Sequence, residues 1–287
     1  MGEYEITFVT DGKEISQEEI YSVERQRYQI VFHELVNKGI PLEYQGKRYS
    51  PEELEELDLK DAREVLAETK EKLGRERIRE LYAEELAEGD KLLKEISADS
   101  KAKENLQPGI VEVKTKGISI EQFLMVNRLL AKKNSLEMPS KMHPEHYSFE
   151  AGPGGTQIII ERFGMYKYPA YLYLEPDKSG YRPIPLDEDT SFAMTGCTKL
   201  MSDRTDTKII GMHQFKKCSE GMDVKLGVFL PEAAPKEMLE GHKWHLMVEF
   251  NNCMHLAAEM KPNILQKAAM DMALKRIQKQ QQKSGLA

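Results

Sequence analysis

The sequence predicts an α+β fold in which an antiparallel sheet wraps a long C-terminal helix, preceded by a small, mainly helical domain. Three observations carry this expectation. The chain has 287 residues and a formal net charge of -7, but residues 1–105 hold 27 acidic and 17 basic side chains while the remainder is net basic. Texture changes at the same place: residues 52–105 are rich in Glu, Lys, Leu and Ala, and residues 107–232 in Gly, Pro, Thr and β-branched residues. Strand-like segments in series precede Pro235, and one helical pattern then runs to Met260, an order that fits an α+β layer arrangement. The boundary falls near Gln107-Pro108-Gly109, separating residues 1–107 from residues 108–287.

In chain order, a short strand is expected at Glu3–Val9, a turn at Asp11-Gly12, and a helix from Gln17 to Asn37 capped by Ser16 and ended by Gly39. A hairpin follows, turning at Gln45-Gly46. Ser50-Pro51-Glu52-Glu53 combines an N-cap, a proline at the first helical position and a glutamate at the third, a specific helix start. Helices are expected at Pro51–Glu56, Lys60–Leu73 and Arg75–Ile96, with their Glu/Lys faces solvated. Beyond the boundary, Ile110–Lys114 reads as a strand and Ser119 caps a helix from Ile120 to Lys133. Strands at Thr156–Arg162, Ala170–Leu174, Phe192–Leu200, Lys208–Phe215 and Val224–Phe229 are separated by Gly- and Pro-bearing turns. Pro235 opens the long helix, Pro262 stops or kinks it, and an amphipathic helix from Asn263 to Gln281 carries Ile264, Leu265, Ala268, Leu274 and Ile277.

Composition narrows the function classes. With 40% hydrophobic and 31% charged residues, a sizeable core is expected. No run approaches the roughly 18 apolar residues of a membrane span. The start, Met1-Gly2-Glu3-Tyr4-Glu5, is acidic and lacks a signal peptide's basic and apolar regions, and Ile6 breaks the myristoylation pattern. Cys197, Cys218 and Cys253 are an odd number without close spacing, which points to a reducing, cytoplasmic setting. An acidic balance argues against nucleic-acid binding. The Gly152-Pro153-Gly154-Gly155 turn lacks the lysine of a phosphate loop, and no Gly-x-Ser-x-Gly elbow is present.

The residues that could carry chemistry are few. His245 and Glu249 stand four apart on the long helix, so imidazole and carboxylate share a face and could address one ion, or simply contact each other. His255 and Glu259 repeat the spacing, but ten residues turn a helix about 1000°, roughly 80° short of whole turns, so the pairs face different directions. Glu161 ends the apolar strand Ile158-Ile159-Ile160, facing either a cavity or solvent. His143-Pro144-Glu145-His146-Tyr147 fits a site lining or a surface loop equally. His213 lies on a strand, where a single histidine serves structure or chemistry.

Together these pieces resemble a family. Ser135-Leu136-Glu137, the 143–147 cluster, Thr156-Gln-Ile-Ile-Ile-Glu161, His213-Gln214-Phe215, Glu220-Gly221-Met222, His245-x-x-x-Glu249-Phe250, Leu256-Ala257-Ala258 and Pro262 are similar, in order, to the diacetylphloroglucinol hydrolase and phloretin hydrolase family across about residues 108–265. The resemblance implies a helix-grip (Bet v 1-like) catalytic domain. It also implies zinc-dependent hydrolysis of the carbon–carbon bond between a phenolic ring and an acyl group, with a small aromatic acyl-phenol as substrate. Carried over, Glu161, His245 and Glu249 match three metal ligands, and the fourth, a histidine in the family, falls at Asn134. An amide oxygen is a poorer zinc ligand than imidazole, so the site could bind metal weakly, prefer another divalent ion, recruit His143 or His146, or be inactive. His213 is the first candidate for the proton donor, followed by His146 and Tyr147. The rival expectation is a non-catalytic binding module for an apolar or aromatic molecule. The acidic N-terminal part could also make the chain a homo-oligomer.

Overall fold

The computed structural model describes residues 3–283; the Ile277 side chain, placed on the apolar face of the last helix, lies outside the described residues, as do Met1 and Gly2. The elements are β1 (Glu5–Thr10), β2 (Lys13–Ile15), α1 (Gln17–Asn37), β3 (Glu43–Tyr44), β4 (Lys47–Arg48), α2 (Pro51–Glu55), α3 (Leu59–Leu81) and α4 (Ala83–Ala98). They continue with β5 (Gln107–Lys116), α5 (Ile120–Lys133), α6 (Glu137–Met142), β6 (His146–Ala151), β7 (Gln157–Glu161), β8 (Ala170–Pro176) and β9 (Phe192–Leu200). The last are β10 (Asp206–Lys217), β11 (Met222–Leu230), α7 (Lys236–Glu259) and α8 (Ile264–Lys283).

Helix starts follow the local chemistry closely. Ser16, Ser50 and Ser119 each accept a hydrogen bond from the backbone three residues on, and Glu19, Glu53 and Gln122 return one, so orphan N–H groups are satisfied at both ends of each box. Gly74, at φ 72°, breaks the helical path inside α3 where the sequence placed a boundary.

Nine strands form one antiparallel sheet in the order β2-β1-β5-β11-β10-β9-β8-β7-β6. β1 pairs with β5, so the N-terminal segment contributes two strands to the sheet built mainly by residues 107–230. Strand alternation divides the faces. Val111, Val113, Val224, Leu226, Val228, Ile209 and Phe215 pack with Leu246, Met247, Val248 and Phe250 of α7. Each such side chain, fully buried, contributes about 1.5–3 kcal/mol of hydrophobic stabilisation. Ile210, Met212 and Phe229 point the other way, under Tyr181, Ile184 and Leu186. At the β6 end that other face meets the N-terminal helices: Tyr147 and Ile160 share a core with Tyr28, Phe32, Val65 and Leu66. The charge boundary near residue 107 is therefore crossed both by the sheet and by a core.

The 137–151 segment differs most from the sequence reading. It holds a short helix, α6, and a strand, β6, neither of which the periodicity predicts; of the two readings left open for 143–147, site lining or surface loop, His146 takes the first. Pro139 sits in the first turn of α6, where its missing N–H costs nothing, and six residues are too few for a visible helical period. No helix among the described residues is long and apolar enough to cross a membrane.

Candidate metal centre

Four side chains from three elements converge. His146 opens β6, Glu161 ends β7, and the register places them opposite each other. His245 and Glu249 face them from consecutive turns of α7. The Nε2 atoms of His146 and His245 lie 3.1 Å apart, and Glu161 Oε2 is 3.6 Å from the first and 3.8 Å from the second. Glu249 Oε2 is 3.9 Å from His245 Nε2. One ligand atom each from His146, His245 and Glu249 falls within 4.8 Å of the others, a group able to hold a metal ion. Glu161 and Ile159 share the inward face while Ile160 packs on the N-terminal helices, so alternation aims the carboxylate inward.

Charge and protonation suit a cation. Burial, reinforced by Glu249 and Glu145, pushes the Glu161 carboxyl up to about 8, and burial pushes Glu249 up to about 7. Burial drives His146 down to about 3 and His245 well below the usual imidazole range, so both rings are neutral and free to ligate. His146 Nδ1 lies 3.2 Å from the Pro139 carbonyl, which can only accept; the proton is therefore on Nδ1, and Nε2 presents a lone pair to the centre. Two imidazoles and two carboxylates form the mixed N/O set that zinc and its first-row neighbours take.

Two more histidines crowd the centre. His143 stacks on His245 at 3.8 Å between centroids, and its Nδ1 accepts from Glu145 N at 3.1 Å. His242 stacks between Phe163 and His245, with centroid distances of 4.1 and 5.1 Å. That stacking needs the 163–165 turn pressed onto α7: a Cβ on Gly241 would lie 1.9 Å from the Gly164 carbonyl, and one on Gly164 2.3 Å from that of Met238. His242 was not singled out in the sequence. Its signal is the 242, 245, 249 spacing, which keeps all three side chains on one helical face.

The N-terminal helices hold this site in place. Lys70, buried on α3, donates to the carbonyls of Pro144 and His146, each at 2.7 Å. Burial lowers its pKa to about 7, against the pull of Glu145 and Glu34. Arg27 and Arg162 both pair with the buried Glu145. Arg63 grips Glu24 through two hydrogen bonds of 2.8 and 2.7 Å, and reaches Asn252 of α7 at 2.8 Å. Lys70 and Arg63, on a helix whose Glu/Lys face is expected to be solvated, turn inward instead.

An interior cavity of about 210 Å³ adjoins the centre, lined by His146, Glu161, His213, His245 and Glu249 and otherwise mainly by apolar side chains such as Phe123, Phe149, Phe163, Leu172 and Phe250. His213 enters from β10, half-buried, its pKa pushed down to about 4 by burial.

Two expected site residues lie elsewhere. Asn134 is the left-handed C-cap of α5, and its Oδ1 accepts from Ala151 N at 2.9 Å and from Arg75 at 3.3 Å. Ala151 ends the strand that His146 begins, roughly 17 Å away at 3.3 Å per residue, so the amide cannot join the group. His146 stands there instead. Tyr147 falls in the register irregularity between His146 and Ser148 and packs on the opposite face, where its hydroxyl donates to Glu34 at 2.8 Å. His146, also considered as a proton donor, belongs with the ligands. His255 is bracketed by the Tyr4 and Tyr21 hydroxyls at 2.7 and 3.1 Å, away from the centre. No protein-family model matches the chain, and no curated protein does.

Proposed function

We propose that this chain is a metal-dependent hydrolase that cleaves the carbon–carbon bond between a phenolic ring and an acyl group, in a cavity of helix-grip (Bet v 1-like) type. One observation carries the reading: His146, His245, Glu161 and Glu249 converge at the wall of an apolar cavity. Zinc, or another divalent ion held by these four, would polarise the acyl carbonyl and bring the pKa of a water towards about 7. Overall, water supplies OH to the acyl carbon and a proton to the ring carbon as the bond between them breaks. Phe123, Phe163 and Phe250 would hold the ring and keep bulk water out. His213, neutral near pH 7 and lining the same cavity, would hold the proton that the ring carbon receives.

The second reading, a binding module for an apolar or aromatic molecule without turnover, is favoured by the mainly apolar lining. Elemental analysis of the purified chain, followed by incubation with acylphloroglucinols, separates the two. About one divalent ion per chain and release of the free acid support the hydrolase. No ion, with ligand bound and unchanged, supports the module.

A further inference from the structure

We infer that Gly211 sets the size of the ligand the cavity accepts, a reading that rests on this cavity being the substrate's. Glycine weakens a strand interior, so its presence there calls for a reason. Two structural reasons are usual, a positive φ or a close backbone approach, and Gly211 has neither. Its φ lies outside the left-handed region, and a Cβ built on it meets nothing within 4 Å. Gly164 and Gly241, by contrast, would each place a Cβ under 2.5 Å from a carbonyl. Nor is Gly211 at a bulge: it pairs in register with Gly196 on one side and Val228 on the other, past the irregularity that lies between Asp206 and Ile210.

What Gly211 does face is the cavity. Ile209 and Phe215 of β10 are in the core under α7, Ile210 and Met212 are on the other face, and Gly211 shares the inward side with His213. Two residues along a strand span roughly 7 Å, so the bare backbone lies one ring's width from the His213 imidazole. Its direct partner on β9, Gly196, also lacks a side chain. Any side chain at 211 would project into the space where a ring or its acyl chain must lie.

The test uses the full chain with Gly211→Ala, Gly211→Val and Gly211→Leu, and a graded series of one-ring apolar probes from benzene through butylbenzene. Dissociation constants are read by calorimetry and melting temperatures by circular dichroism. The expected result is that all three variants melt at or above the wild-type temperature. The longest alkyl chain bound should shorten stepwise, with butylbenzene affinity falling at least tenfold in Gly211→Val. Equal affinities across the variants, no probe binding to wild type, or a large loss of melting temperature in Gly211→Ala would each overturn the inference. Acylphloroglucinol cleavage is measured in parallel on wild type. Its absence while the alkylbenzene series behaves as expected would sink the hydrolase reading and leave the role of Gly211 standing.

Discussion

Two stretches of α7 carry the same pair, an imidazole four residues before a carboxylate, and only one becomes a site. His245 and Glu249 meet His146 and Glu161 across the cavity, in a setting where burial raises both carboxyls and lowers both imidazoles. Ten residues on, His255 is held by two phenols, and Glu259 is exposed. The helix supplies half a ligand set in both places. What differs is what the sheet brings to meet it: β6 begins with a histidine and β7 ends with a glutamate opposite His245, whereas the side of α7 that carries His255 faces α1 and β1.

The strongest challenge to that contrast is ligand removal. His245→Ala should cost more than the roughly 100-fold in zinc affinity that is the upper range for an outer contact, whereas His255→Ala should leave it unchanged. Competition titration against a chromophoric chelator measures both, and equal losses would erase the distinction.

A smaller effect is expected one layer out. Lys70→Met strips the donors from two carbonyls of the segment bearing His146, so zinc should bind about 10–100-fold more weakly while the far-ultraviolet circular dichroism stays the same. Unchanged affinity would mean the N-terminal helices do not position the centre.

Acidity should separate the metal-free and metal-bound forms. The Glu161 and Glu249 carboxyls, raised to about 8 and about 7, are above their unfolded values, so the stability they contribute is complete below about pH 4.5 and is lost as pH rises through 7 and 8. A cation takes the ionised forms, so its binding releases protons and strengthens over that same range. Melting temperatures from pH 6 to 9 should therefore fall for the metal-free chain and fall less, or rise, with zinc present. Parallel curves would argue that these carboxylates do not hold the ion.

Asn134→His should leave zinc affinity where it is, because the position lies at the far end of β6. It should cost about 1–2 kcal/mol, since a non-glycine residue other than Asn or Asp is strained in the left-handed conformation. Tighter zinc binding would return Asn134 to the site. The smallest change is expected for His255→Phe, about 1 kcal/mol for the lost phenol contacts, read by urea denaturation with metal content constant.

Much of the candidate site was legible along the chain. The 245, 249 spacing and the carboxylate ending an isoleucine run are local patterns, and both lead to the centre. His146 stands within a dense cluster, but one-dimensional spacing does not choose between it and Asn134. That choice depends on which end of β6 each residue meets, and a six-residue strand after a six-residue helix leaves little period to read. The support from Lys70 and Arg63 is hidden for a different reason. A basic residue on a Glu/Lys-rich helix looks solvated until another segment's carbonyl or carboxylate is packed against it.

The sequence by itself determined the α+β class, the capped helix starts, most of the strands and the α7 face that carries His245 and Glu249. These depend on periodicity, caps and turn residues within a few positions of each other. Only the tertiary structure decided that β1 joins the main sheet, that His146 is the partner of His245, and that the N-terminal helices brace the centre. Those are contacts between residues a hundred or more positions apart, set by strand register and by the burial of charges that no local pattern records.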